Sequence, residues 1–303
     1  MKLAELSDSL LYQKLHEGLP LQTGSFVVKI KSSIPSVARG LALLYADYPL
    51  CSGEFADFHV TIFRPLNWRR YFKSQVVFSF EGMSPFSPLP YSQAFPMMEW
   101  GLNWCITHHA HSYLSIHAAV LEKNGNAVIL AAPPGSGKST LCAALMARGW
   151  RLLSDEITLV RLSDGLIEPV PRPVSLKNNS ISIIQQFATD AIMSPVVRDT
   201  VKGTVAHMKP SSESVHRAQE LARAAWIIFP KYVERSETIL NCVSPARAMM
   251  NVAENSFNYG LLGQRGFSAL GRMVQSCQSY EFQYSSLDQA IKTFDQLPSP
   301  SLS

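Results

Sequence analysis

The sequence predicts an α/β protein in which a nucleotide-binding core over residues 93–303 follows an N-terminal α+β domain over residues 1–92. Three observations predict it. Ala127 to Ala132 form an apolar run too short for a buried helix and rich enough in Val, Ile and Leu for a core strand. That run leads into Ala132-Pro133-Pro134-Gly135-Ser136-Gly137-Lys138-Ser139, then into an Ala- and Leu-rich segment that reads as helix from Ser139 to about Arg148. Upstream, the proline-rich PFSPLP at 85–90 reads as the boundary between two units.

From the N-terminus, residues 1–22 predict a short amphipathic helix, and Phe26–Lys31 alternates as a strand. Ser33-Ile34-Pro35 supplies a cap and an early proline for a helix running to Tyr48. Phe55–Phe63 and Tyr71–Phe80 predict further strands. Arg64, Arg69, Arg70 and Lys73 cluster around their connection and read as a solvated face ahead of a site for an acidic or phosphorylated partner. Residues 93–114 predict a helix with Pro96 near its start. Its His108 and His111 have an i,i+3 spacing that a metal could use. No matching carboxylate or cysteine partner is evident, which favours a structural or surface role.

Asn124-Gly125-Asn126 is a hairpin turn signal, so Ser115–Lys123 should pair antiparallel with the apolar run. With Lys123 facing Ala127, His117 falls opposite Pro133, at the mouth of the glycine loop. The loop has the P-loop arrangement of strand, glycines, Lys-Ser and helix. Gly135 and Gly137 let backbone N–H groups approach a polyphosphate with no Cβ in the way. The helix N-terminus adds partial positive charge. Lys138 can reach the β- and γ-phosphates and Ser139 can ligate Mg2+. The expected nucleotide contacts are therefore Pro134, Gly135, Ser136, Gly137, Lys138, Ser139 and Thr140. Ala132 stands where such loops usually begin with glycine, which relaxes the turn and removes no phosphate donor. A chance match in a chain this long arises roughly 2% of the time.

The loop's helix should end near Gly149, and Trp150–Val160 reads as a strand with Ser154-Asp155-Glu156 in mid-run. Two acids inside an apolar strand are costly to bury unless they meet a metal or a cation. Phosphoryl transfer needs such a carboxylate to hold Mg2+ or to take the acceptor's proton. Beyond Val160, Asp164-Gly165 turns a hairpin and Lys177-Asn178-Asn179-Ser180-Ile181 starts a helix. Asp199 to His207 reads either as a mobile loop closing over phosphate or as a plain surface loop. Ala224–Pro230 is almost wholly apolar and hence a central strand. Ser244-Pro245 caps a helix to Glu254, residues 255–276 support the core, and Tyr280–Ser285 and Leu287–Leu297 make a last strand and helix before a Pro/Ser tail.

Composition narrows the class. A charged fraction of 17% and the absence of low-complexity tracts predict an ordered protein, and 303 residues suffice for two cores. A net charge of +4 without a Lys/Arg cluster of the kind that grips phosphate backbones argues against a nucleic-acid partner. The five cysteines lie far apart with no C-x-x-C pair, which argues against zinc and for a reducing compartment. The N-terminus lacks a signal-like apolar core and no run has the length of a membrane span, so a soluble cytoplasmic protein with no membrane partner is expected.

Ser115-Ile116-His117, Gly135-x-Gly137-Lys138-Ser139 and the acid pair after Arg148-Gly149-Trp150-Arg151-Leu152 together resemble the HPr kinase/phosphorylase catalytic domain. More narrowly, the chain is similar to the group called HprK-related kinase A, closely over residues 95–160 and more loosely to the end. The resemblance implies a P-loop kinase core of the HPr kinase/PEP carboxykinase type and a homo-oligomer. It places His117 beside the reacting phosphate, makes Asp155 the general base, and puts Lys138 and Ser139 on nucleotide and Mg2+, with Glu156 as a metal carboxylate. Glu156 stands where the family usually has Asp. The family's Glu-x-Arg-Gly-Leu-Gly stretch is replaced by Glu168-Pro-Val-Pro-Arg172-Pro-Val-Ser-Leu-Lys177, from which Arg172 is expected to face phosphate.

The sequence thus points to an ATP- and Mg2+-dependent kinase acting on a hydroxyl, by resemblance a serine of a protein or peptide. A small-molecule kinase, a non-catalytic nucleotide switch and a nucleotide hydrolase are the alternatives. His117, Asp155 and Glu156 around one loop favour catalysis, since a switch needs only the loop and a Mg2+ site. No base-reading motif tells ATP from GTP, ADP or a diphosphate donor.

Overall fold

The computed structural model describes residues 1–53 and 55–298, and of Arg69 and Arg70 the backbone alone; the expected tail from 299 onward lies outside the described residues. The chain is mixed α/β, built on several sheets. At its centre is a six-stranded sheet in the order Ile239–Cys242, Gln278–Tyr284, Arg223–Tyr232, Asn126–Ala131, Ala118–Lys123, Arg151–Ser154. Strands 278–284, 223–232 and 126–131 run parallel, and the outer strands are antiparallel to their neighbours.

The apolar runs that predict central strands do so because both sheet faces are covered. One face carries helices Lys138–Ala147, Asn179–Phe187 and Leu287–Asp295, packed through Leu141, Leu145, Ile184 and Phe294. The other carries Pro245–Glu254 and Gln264–Gln275 through Ala248, Val252, Leu270 and Met273. Each large apolar side chain so buried contributes about 1.5–3 kcal/mol.

A five-stranded N-terminal sheet, Leu19–Thr23, Phe26–Ser32, Phe58–Phe63, Gln75–Phe80 and Leu89–Pro90 in that order, builds a separate core. Helix Pro35–Leu44 makes the crossover between its one parallel pair, Phe26–Ser32 and Phe58–Phe63. Helix Ala94–His109 sinks Phe95, Met98, Leu102 and Ile106 into this core, and its Glu99, Trp100 and Asn103 line a cleft shared with the segments that follow the glycine-loop helix. Two three-stranded sheets complete the chain. One joins Ile167–Glu168, Thr158–Arg161 and Tyr113–Ile116, and the other Val174–Lys177, Gly203–Met208 and Val197–Thr200.

Several expectations shift. Residues 1–22 hold helix Asp8–Glu17 and then strand Leu19–Thr23, because Gly18 breaks the helix at φ +123°. The next helix begins at Pro35 with Ile34 as its cap, and Ser32, not Ser33, takes the Ile34 amide on its hydroxyl at 3.1 Å. Residues 85–90 are not a free linker throughout, since Leu89–Pro90 pairs with Gln75–Val76. The helix expected to 114 ends at His109, and Tyr113 opens a strand.

Asn124 (φ +55°) and Gly125 (φ +80°) close a two-residue turn whose twist matches the strands. Lys123 therefore faces Asn126, one residue short of the expected register, and the His117–Pro133 pair does not form. The His117 amide instead donates to the Asn255 carbonyl at 2.7 Å.

Trp150–Val160 is not one strand. It splits at Asp155-Glu156 into Arg151–Ser154 in the large sheet and Thr158–Arg161 in a small one. A mid-strand carboxylate would be pressed between apolar layers, whereas a bend lets both acids turn to cations. Asp199–His207 is a hairpin rather than a loop, and Val205–Met208 are buried in it.

Candidate functional site

The glycine loop leaves the sheet at the carboxyl end of strand Asn126–Ala131, the side on which open α/β sheets bind ligands. Neighbouring strand ends brace it. The Tyr232 amide donates to the Ser136 carbonyl at 2.9 Å, and the Tyr284 hydroxyl donates to the Gly137 carbonyl at 3.1 Å. Gly135 and Gly137 both lie in the left-handed region, at φ +85° and +90°. A Cβ on Gly137 would come within 2.5 Å of the Tyr284 hydroxyl, while one on Gly135 would meet open space.

Helix Lys138–Ala147 begins at Gly137 with no side-chain cap. Its first amides are left to solvent or to an anion. Lys138 is only 7% exposed, and its ammonium has no hydrogen-bond partner. Burial pulls its proton affinity down against the opposing pull of Asp155 and Glu156. A buried, unpartnered ammonium is expensive to maintain unless a ligand arrives.

Asp155 lies under the start of this helix. It accepts the Ser175 amide on Oδ2 at 3.0 Å, and Oδ1 has no partner. The Ser139 hydroxyl and the Cys142 thiol approach the same carboxyl. Burial raises its pKa and Lys138 opposes the rise. Glu156 differs although it is adjacent. Burial acts to raise its pKa too, but Lys202, Lys177, Lys138 and Arg172 outweigh that and hold it below the usual carboxylate range. Asn103 donates to its Oε2 at 2.5 Å, and the Lys177 ammonium is 3.7 Å from Oε1.

His117, half-buried, has its ring 5.7 Å from that of Phe257. Burial, then the Lys138 charge, pushes its pKa down to about 4. It stays a neutral imidazole near the loop at physiological pH.

Arg172 is turned toward helix Ala94–His109. Its Nη2 donates to the Glu99 carbonyl at 3.1 Å and the Asn103 Oδ1 at 2.8 Å, and lies 3.3 Å from a Glu99 carboxylate oxygen. Its Nε and Nη1 have no partner. Sequence reasoning did not single out Glu99, Trp100, Asn103 and His207. The one legible signal was Glu99, the lone acid in an apolar helix. His207 was hidden because its stretch read as a loop. The histidines at 108 and 109 stack on aromatic rings, His108 on Trp104 at 4.7 Å and His109 against Phe80 at 4.6 Å. Among the described residues no group of three or more His, Cys, Asp and Glu side chains is arranged to hold a metal.

Loop, acids and orphaned cation define a class: a mixed α/β protein with a glycine loop opening a helix beside a buried carboxylate. Residues 93–177 match the family model described as SynChlorMet cassette protein ScmC, a span that holds the loop, His117, the acid pair and Arg172. The solved structure of the HPr(Ser) kinase/phosphatase from Coxiella burnetii aligns at 11% identity and a TM-score of 0.28, over 60% of this chain and 96% of that one. No curated protein matches the chain. Among the described residues no helix is long and apolar enough to cross a membrane.

Proposed function

We propose that this chain is an ATP-dependent phosphotransferase that moves a phosphoryl group to a hydroxyl. One observation carries the reading: Lys138 Nζ and Asp155 Oδ1 are both buried and both unpartnered, beside the start of a helix with no side-chain cap. A nucleotide switch would use the lysine, the amides and one carboxylate for Mg2+; a second acid beside the first and a neutral histidine near the loop are what a transferase adds.

In the proposed reaction the amides of residues 135–140 and Lys138 hold the β- and γ-phosphates. The acceptor O–H gives its proton to Asp155 while its oxygen bonds to the γ-phosphorus, and the bond to the bridging oxygen breaks with its electron pair leaving on ADP. The raised pKa of Asp155 suits it to that proton. Neutral His117 can hydrogen-bond the transferring group. Ser139 and Glu156 are hard oxygen donors, and Mg2+ characteristically takes one or two carboxylates plus phosphate oxygens, so these residues fit it. When bound, Mg2+ supplies charge neutralisation on the phosphates. The resemblance in the sequence favours a serine of a protein or peptide as acceptor.

The test is transfer from γ-labelled ATP with Mg2+ into fractionated lysate. Label should appear on a discrete acceptor with wild type. Lys138→Ala should abolish nucleotide binding and transfer, and Asp155→Asn should lower transfer by about 10²-fold or more while nucleotide still binds. Tight binding lost in Lys138→Ala with no label moved in wild type would sink the kinase reading and leave a switch.

A further inference from the structure

Asp155 also lines a narrow, open-mouthed cleft. Glu99, Trp100, Asn103, Asp155, Arg172 and His207 line it. Its walls carry a set of polar atoms with no partner: Arg172 Nε and Nη1, His207 Nε2, Trp100 Nε1 and Asp155 Oδ1. Arg172 is 7% exposed and His207 1%. A buried polar atom without a partner is costly, and gathering several in one cleft beside the base is what a polar ligand would offset.

Arg172 is fixed for the purpose. Nη2 is bound to Glu99 and Asn103, and Glu99 is in turn held by the Tyr45 hydroxyl at 2.7 Å. The remaining N–H groups of the guanidinium are therefore preorganised, in a residue whose geometry suits carboxylate and phosphate. The Tyr48 hydroxyl ties the adjoining Pro171 carbonyl at 2.8 Å, so the whole wall is anchored in the N-terminal core.

We infer that this cleft is the acceptor site of the transferase proposed above, and that the acceptor is a small hydroxyl compound bearing a carboxylate or phosphate, with the anion on Arg172 and the hydroxyl at Asp155. The inference rests on the kinase reading for its chemistry and on the cleft for its substrate class. Asp155 is 5% exposed, so a compound small enough to enter the cleft is favoured here over the protein serine that the sequence resemblance alone suggests.

Binding and turnover separate the two claims. Calorimetric titration of the full chain with glycerate and with glycerol 3-phosphate, glycerol being the uncharged control, reads the cleft without chemistry. Saturable binding of either anion is expected, unchanged by Lys138→Ala and weakened at least tenfold by Arg172→Gln. Because Arg172→Gln strands Glu99, the pair Arg172→Gln/Glu99→Gln is measured beside it, with thermal unfolding to show that both fold. Which anion binds distinguishes carboxylate from phosphate. With γ-labelled ATP, label should pass into the low-molecular-weight fraction, and the double variant should raise the acceptor KM while leaving nucleotide affinity within about threefold. Label moving into protein, or no anion binding because the cleft holds water alone, overturns the inference and leaves the kinase standing. Arg172-dependent anion binding with no label in any fraction overturns the kinase and leaves the anion site.

Discussion

At the scale of single residues, the site is a collection of groups held in charge states they would not choose in water. His207 is the plainest case. It is 1% exposed, its ring lies edge-on to Phe95 at 5.5 Å, and burial pushes its pKa from 6.5 down to about 4. Glu156 pulls the other way, but Arg172, Lys202 and Lys177 reinforce the fall. A histidine kept neutral when folded takes up a proton more readily when unfolded. The unfolded state therefore binds more protons between about pH 6.5 and pH 4, and stability falls as pH drops through that window and is level above it. For His207 alone the loss from about pH 7.5 to pH 5 is roughly 2 kcal/mol, and half-buried His117, also lowered to about 4, adds in the same direction. Urea unfolding at the two pH values should show His207→Gln losing clearly less stability on acidification than wild type. An identical loss in both would mean that His207 titrates normally.

At the scale of elements, the glycine loop shows how two similar residues serve different masters. Both glycines have positive φ, where an L side chain costs about 1–2 kcal/mol. Gly137 additionally faces Tyr284 and Tyr232, so a Cβ there collides with the strand ends that brace the loop. Gly135 faces open space. Without nucleotide, Gly135→Ala should lower stability by only about 1–2 kcal/mol, and Gly137→Ala by clearly more. Nucleotide affinity should fall in both, since on the proposed reading the empty side of Gly135 is where phosphate lies. Equal stability losses, read by thermal unfolding, would show that the loop shifts freely and that the tyrosines do not fix it.

The same scale shows what was legible in sequence. Strand 126–131, helix 138–147, central strand 223–232 and the Ser244-capped helix all announce themselves through local pattern: apolar runs, glycines and a cap. Ser244 does accept the Arg247 amide, and Pro245 does stand in the first turn. The hairpin register differs by one from the expected one because Asn124 and Gly125 close the turn by themselves at positive φ and Asn126 pairs with Lys123, where local pattern reads all three as turn. The acid pair was placed mid-strand because nothing local says that Arg151–Ser154 and Thr158–Arg161 belong to different sheets. The cleft was invisible for the same reason. Glu99, Arg172 and His207 are far apart in sequence and meet only through tertiary packing.

At the scale of the whole molecule, the N-terminal layer is built into the candidate site. Helix Ala94–His109 is held on one side by the N-terminal sheet and lends Glu99, Trp100 and Asn103 to the cleft on another. Gly101 measures how tight that seating is. A Cβ there would come within 2.1 Å of the Phe78 ring, which is itself fully buried in the N-terminal sheet. Gly101→Ala therefore overpacks the seam, at a cost of about 1–3 kcal/mol, and pushes the helix toward the cleft. Gly271→Ala is the matching control, because it also lies inside a helix, Gln264–Gln275, and its Cβ would meet nothing within 4 Å. That exchange should be neutral or stabilising by up to about 1 kcal/mol, since alanine is the better helix former. If the N-terminal layer positions the acceptor wall, Gly101→Ala should lower kcat/KM for the acceptor severalfold at a temperature where the protein is still folded. Nucleotide affinity, set by the glycine loop, which Gly101 and Phe78 do not touch, should stay within about twofold, since residues with no shared partners respond nearly independently. An equal fall in nucleotide affinity and acceptor turnover would mean that the layer only stabilises the fold. A fall confined to the acceptor would make the N-terminal sheet part of substrate selection.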